Sequence, residues 1–128
     1  MPTLFYGTSL SAPEHYAGVV AHEVAHAVFA HAASANNTFT PDLPATAHEY
    51  VAYVVQMMSF SETTRRRILA RDPPAPVSNL FLFSFFLLYA DPERFAVNAF
   101  AHFALPENGC SFIGRILRGE AHFPPASD

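Results

Sequence analysis

The run AHEVAHAVFAH, residues 21–31, sets His22, Glu23, His26 and His31 among alanine, valine and phenylalanine only. His22, Glu23 and His26 spell H-E-x-x-H. On a helix, side chains four positions apart lie about 40° apart around the axis and one turn along it, so the two imidazoles can converge on one metal ion. Glu23, about 100° from His22, would project beside that ion, where it can take a proton from a metal-bound water. Zinc suits two imidazoles plus one carboxylate, which leave its fourth tetrahedral position open. His31, nine positions after His22, falls about 180° round the helix and is expected to have a capping or surface role. Between Tyr16 and Ala33 the only formally charged side chain is Glu23. A helix apolar on all sides is normally buried, and a buried carboxylate beside two imidazoles is costly unless a cation joins them.

The elements that must position these groups follow from breakers and caps. Ser11 and Glu14 have the form of a capping box and Pro13 suits a first turn, which predicts a long first helix ending near Ser34. The segment TLFYGTS ahead of it reads as one short strand. Pro41 and Pro44 mark a loop. A second helix is expected from Thr46 to Phe60, with Ala47, Val51, Val55 and Met58 towards the core and Glu49, Tyr53 and Gln56 as a polar stripe opposite. Ser59 and Glu62 predict a capping box for a third helix, which stops before DPPAP at 72–76. Ser78 to Ala90 reads as a core helix, Pro92 to Ala104 as a fifth helix capped by Asp91, and Ser111 to Arg118 as a last one between Gly109 and Gly119. The expected fold is mainly α, a compact bundle of five to six helices in one domain, with residues 121–128 as a flexible tail.

The chain has 128 residues, 51% of them hydrophobic, a formal charge of −4 and only seven basic side chains. This argues against a nucleic-acid surface or an anionic membrane surface as partner. Arg65, Arg66 and Arg67 read as the solvated face of a helix. Cys110 is alone, so neither an intrachain disulfide nor a cysteine zinc cluster is expected. Leu80 to Ala90 is about half the ~20 residues a membrane span needs. The N-terminus lacks the basic and apolar regions of a secretory signal. The chain as given is therefore expected in the cytoplasm, or outside it if a leader has been removed.

The H-E-x-x-H motif resembles that of gluzincin-type zincins, which take their third ligand from a glutamate on the next long helix. The resemblance implies Glu49, in AHEYVAYVVQ, as that ligand, and the polar stripe of its helix supports the placement. Its neighbour His48 is the rival. Gluzincins commonly carry an aspartate where Tyr53 stands, to orient a ligating histidine, and its replacement leaves the surroundings of the ligands open. Four pieces, HEVAHA (22–27), EYVAYVVQ (49–56), DPERFAVNAFAHF (91–103) and CSFIGRILRGE (110–120), are similar to a bacterial family of unknown function grouped with zincin-like metallopeptidases. That family usually has strands before the metal helix, of which only TLFYGTS has a counterpart here.

The resemblance implies one zinc ion held by His22, His26 and Glu49, with Glu23 as general base, and no known substrate. The expected function is a zinc metallohydrolase of peptidase type, for which a peptide or protein is the expected substrate. Tyr53 is the candidate for oxyanion support. His102, among Phe95, Phe100 and Phe103, reads as a structural histidine, with an approach to the site from across the core as the alternative. The rival function is a helical interaction module without catalysis, in which the His/Glu cluster only joins two helices.

Overall fold

The computed structural model describes residues 10–40, 42–75 and 80–124. Among them lie six α-helices: α1 (Ala12–Ala35), α2 (Ala45–Ser59), α3 (Glu62–Arg71), α4 (Phe85–Ala90), α5 (Pro92–Phe103) and α6 (Cys110–Leu117), with a 3₁₀ turn at Leu80–Leu82. The mainly α bundle is as expected, and no strand occurs among the described residues. The strand expected in TLFYGTS lies outside them.

The helix starts are written in side chains. Ser11 caps α1 by accepting from Glu14 N at 3.2 Å, and Pro13 stands in the first turn. The expected box does not close on itself, however. The Glu14 carboxylate accepts instead from Ser61 N (2.8 Å) and Thr64 Oγ1 (2.7 Å), where α3 begins. The backbone N–H of Ser61 and the Thr64 hydroxyl hold this carboxyl below the usual range. A free helix N-terminus on α3 outcompetes the local partner, because its amides lack intrahelical acceptors. The α3 cap is Ser61, accepting from Thr64 N, and not Ser59, whose hydroxyl donates back to Gln56 O. Asp91 caps α5 as expected.

Burial corrects the expectation for α1. Its buried side is one seam, Gly18, His22, Ala25, Phe29 and Ala33, at spacings of three or four. Tyr16, Val20, Val24 and Val28 line an exposed side, and Glu23 is exposed as well. Alanine and valine gave the helix its apolar look without the bulk that fills a core. The enclosed helix is α2, which packs against both α1 and α5. Nine of its residues are buried, among them Tyr50, Tyr53, Gln56 and Met57, whereas Met58, expected inside, is 54% exposed.

The apolar run 80–90 is not one core helix. Ser84 accepts from Leu87 N and restarts the chain as α4, whose six residues include none that is buried. Phe83, just before this cap, is the core residue of the segment, and α4 leans on α5. The tail expected from residue 121 is also partly packed. Phe123 is buried, with ring centroids 5.7 Å from Tyr50 and 6.2 Å from Phe83. Arg65, Arg66 and Arg67 lie on the outer part of α3, Cys110 is free and exposed, and no described helix is long and apolar enough to cross a membrane.

Gly18 sets how closely α1 approaches α2. A methyl group on it would sit 2.7 Å from Phe60 Cε1 and 3.4 Å from Gln56 Cγ. Gly18→Ala would gain about 1 kcal/mol of helix propensity. Over-packing against the buried Phe60 costs about 1–3 kcal/mol and prevails. A net loss of up to about 2 kcal/mol is expected in urea unfolding; a stabilised variant would show that the helices can part at no cost.

Candidate metal centre

His22 lies on the seam of α1 that faces α2, and His26 follows one turn later at the edge of that seam, half-buried. From α2, Glu49 points back at both. Its Oε1 lies 3.2 Å from His22 Nε2 and also contacts His26 Nε2, while the two Nε2 atoms are 3.2 Å apart. These three residues form a group that can hold a metal ion. With ligand bonds of about 2.0–2.1 Å, tetrahedral coordination requires ligand atoms about 3.3 Å apart; the two 3.2 Å edges are close to this, and the shorter Glu49–His26 contact must open to admit an ion.

Gln56 supplies what sequence reading left without a role. Buried at 3% exposure, its Oε1 accepts from His22 Nδ1 at 2.9 Å. A carboxamide oxygen can only accept, so Nδ1 carries a proton and Nε2 is the ring atom left to face Glu49 Oε1. The 3.2 Å contact of Nε2 with Glu49 Oε1 is a hydrogen bond through the Nε2 proton, and a metal cation can take that proton's place. The signal was the spacing: Gln56 is seven positions from Glu49, two turns along the same side of α2, where an oriented imidazole would need its partner. Gln56→Leu is expected to lower affinity for a divalent metal about 10- to 100-fold, read by competition with a metallochromic chelator. Unchanged affinity would leave Gln56 a packing residue.

The electrostatics of Glu49 are a contest. Burial alone would raise its carboxyl, but the His22 and His26 imidazoles prevail through hydrogen bonds and charge and hold it below the usual carboxylate range. Tyr53, one turn beyond Glu49, is buried with its ring edge-on to His22 at 4.5 Å between centroids. Burial, aided by the charges of Glu49 and Glu23, pushes its phenol up to about 12, so it remains a hydrogen-bond donor at neutral pH. Glu23 is not among the converging atoms; it stands exposed on α1 with its charge felt at Tyr53.

His48, the rival ligand, is outside the converging group. Its ring meets Phe29 edge-on at 5.0 Å, and burial, reinforced by the charge of His26, lowers its pKa. His102 is in the core on another side of α2. Its Nδ1 accepts from Tyr50 Oη at 2.6 Å, and its ring packs on Phe112 at 4.6 Å. Burial, followed by the charge of Arg115, lowers its pKa. The structural reading of His102 therefore holds. His31 is exposed near the end of α1.

A cleft of about 670 Å³ opens beside these groups, with His26, His48, Glu49 and Tyr53 on its polar side. Its size is that of a small-molecule or side-chain pocket. No curated protein matches the chain, and no solved structure does. A family model does match, over residues 2–125, and the chain thus belongs to DUF6639, a family of unknown function.

Proposed function

We propose that the protein is a zinc-dependent metallohydrolase, most simply a peptidase, with His22, His26 and Glu49 as metal ligands. The observation that supports this best is the meeting of three ligand atoms from two helices, with His22 Nδ1 engaged by Gln56 so that Nε2 is the atom left for a metal. Two imidazoles and one carboxylate are a donor set that zinc favours while keeping a coordination position open. Zinc held there supplies Lewis acidity, which brings a coordinated water towards a pKa of about 7 and polarises a carbonyl.

The chain's own residues do the rest. Glu23 receives the water proton at its carboxylate and passes it to the leaving amine. Tyr53 keeps its phenolic proton at neutral pH and donates to the oxygen that gains charge. Gln56 and the α1–α2 seam keep the two imidazoles aimed at one point.

One observation favours the rival, a helical module without catalysis: the Glu49 carboxylate already bridges both imidazoles and ties α1 to α2. Metal content and hydrolysis separate the two readings. Full-length protein is expected to bind one zinc per chain and to cleave unstructured peptides, to lose cleavage on dialysis against a chelator, and to regain it with zinc. Protein that is loaded with zinc and cleaves nothing would leave the module as the better reading.

A further inference from the structure

The lining of the cleft beside the metal ligands is of two kinds. Besides His26, His48, Glu49 and Tyr53 it includes Leu43, Phe85, Leu88, Tyr89 and Pro92. Three of these, Phe85, Leu88 and Tyr89, are spaced three and four apart and so share one side of α4. The helix is apolar throughout and buries none of its six residues. Tyr89 is 76% exposed, with its ring 5.1 Å from that of Phe85 at a shallow 31°. Aromatic surface left open to water is costly unless something covers it in use.

Charge narrows what that is. Among the described residues lining the cleft there is no lysine or arginine, and Glu49, the one acidic group among them, is engaged by the two imidazoles, so away from the metal ligands an acidic side chain finds no counter-charge. A cationic side chain would therefore also enter uncompensated. The aromatic wall rewards apolar area, and the volume of about 670 Å³ has room for a large side chain with its flanking main chain.

We infer that the cleft takes a bulky apolar or aromatic side chain of a peptide substrate, and that Phe85, Leu88 and Tyr89 of α4 determine this specificity. The inference rests on the metallohydrolase reading of the adjoining centre, since the wall shares one cleft with His26 and Glu49.

Zinc-loaded full-length protein is tested on peptides that differ at one position, Phe, Leu, Ala, Asp or Lys. The kcat/KM for Phe and Leu peptides is expected to exceed that for the others by about 10- to 200-fold. Tyr89→Ala, at an exposed position where folding is not at stake, is expected to erode the preference for Phe, and Leu88→Ala that for Leu, with zinc content unchanged. Cleavage of all five peptides at similar rates, or a preference untouched in both variants, would overturn the assignment and leave the hydrolase reading intact. The opposite failure is read by calorimetry with two hydroxamates, acetohydroxamic acid and its 3-phenylpropanoyl analogue. No turnover but at least tenfold tighter binding of the phenyl compound would remove the hydrolase and keep the apolar cleft. Equal affinities would sink the cleft assignment whatever the turnover.

Discussion

Glu23→Gln is expected to bind zinc as the parent protein does and to hydrolyse peptides about 10²- to 10⁴-fold more slowly, the usual contribution of a positioned general base. The substitution keeps the size and shape of the side chain and removes its ability to accept a proton at neutral pH. Glu23 is exposed and is not one of the three converging residues, so metal content and melting temperature should be unaffected. Glu23 adjoins His22 on α1, and its charge acts on Tyr53, which lines the cleft. Separating the two measurements is the point of the experiment. A variant that lost zinc would place Glu23 among the ligands, and one that kept its turnover would remove Glu23 from the mechanism.

Legibility of the sequence differed between the site and the body around it. His22 and His26 announce themselves by spacing alone, because an i, i+4 pair is one of the few arrangements that a helix brings to a point. Glu49 needed a family likeness to single it out from His48, since adjacent residues on α2 differ only by about 100° of rotation and sequence does not fix the rotation. The structure puts the whole stripe Glu49, Tyr53 and Gln56 against α1 rather than against water, and so gives each member a neighbour in the site. Capping residues located the starts of α1 and α5 well, because a cap is a local contact. They misled for α3, where Ser59 and Ser61 both fit the pattern within two positions and the choice went to the one that Glu14 reaches from α1.

Apolar content was the weaker guide. In α1 it suggested enclosure, whereas only the seam through Gly18, His22, Ala25, Phe29 and Ala33 is covered. In Leu80–Ala90 it suggested a core helix, whereas Ser84 divides the run and leaves α4 as the open wall of a cleft. Both errors have one cause. Hydropathy states what a side chain gains by burial, but which helices have neighbours on all sides is a property of the assembled bundle, and there α2 took the central place.

Glu49→Ala is expected to abolish stabilisation by zinc. A metal that binds only the folded chain stabilises it by mass action, about 4 kcal/mol at a thousandfold excess over Kd, which for a chain of this length raises Tm on the order of 10 °C. Removing Glu49 leaves two imidazoles on one helix, of which only His22 is fixed by a partner on α2, so that shift should fall to within a degree or two. The metal-free variant must still be folded for the comparison to count, and its helical circular dichroism reports that directly. The α1–α2 seam gives reason to expect it, since Phe29 and Phe60 are buried independently of the cluster. Three outcomes are decisive in different ways. A zinc shift equal to that of the parent would exclude Glu49 as a ligand, and its loss in His48→Ala instead would pass the role to the neighbouring imidazole in the same cleft. Loss of helicity when the parent protein is stripped of zinc would mean that the ion holds α1 to α2, as a structural site does. A parent that stays helical without zinc and melts lower has a metal it can do without for folding, which is the condition for spending that ion on a reaction.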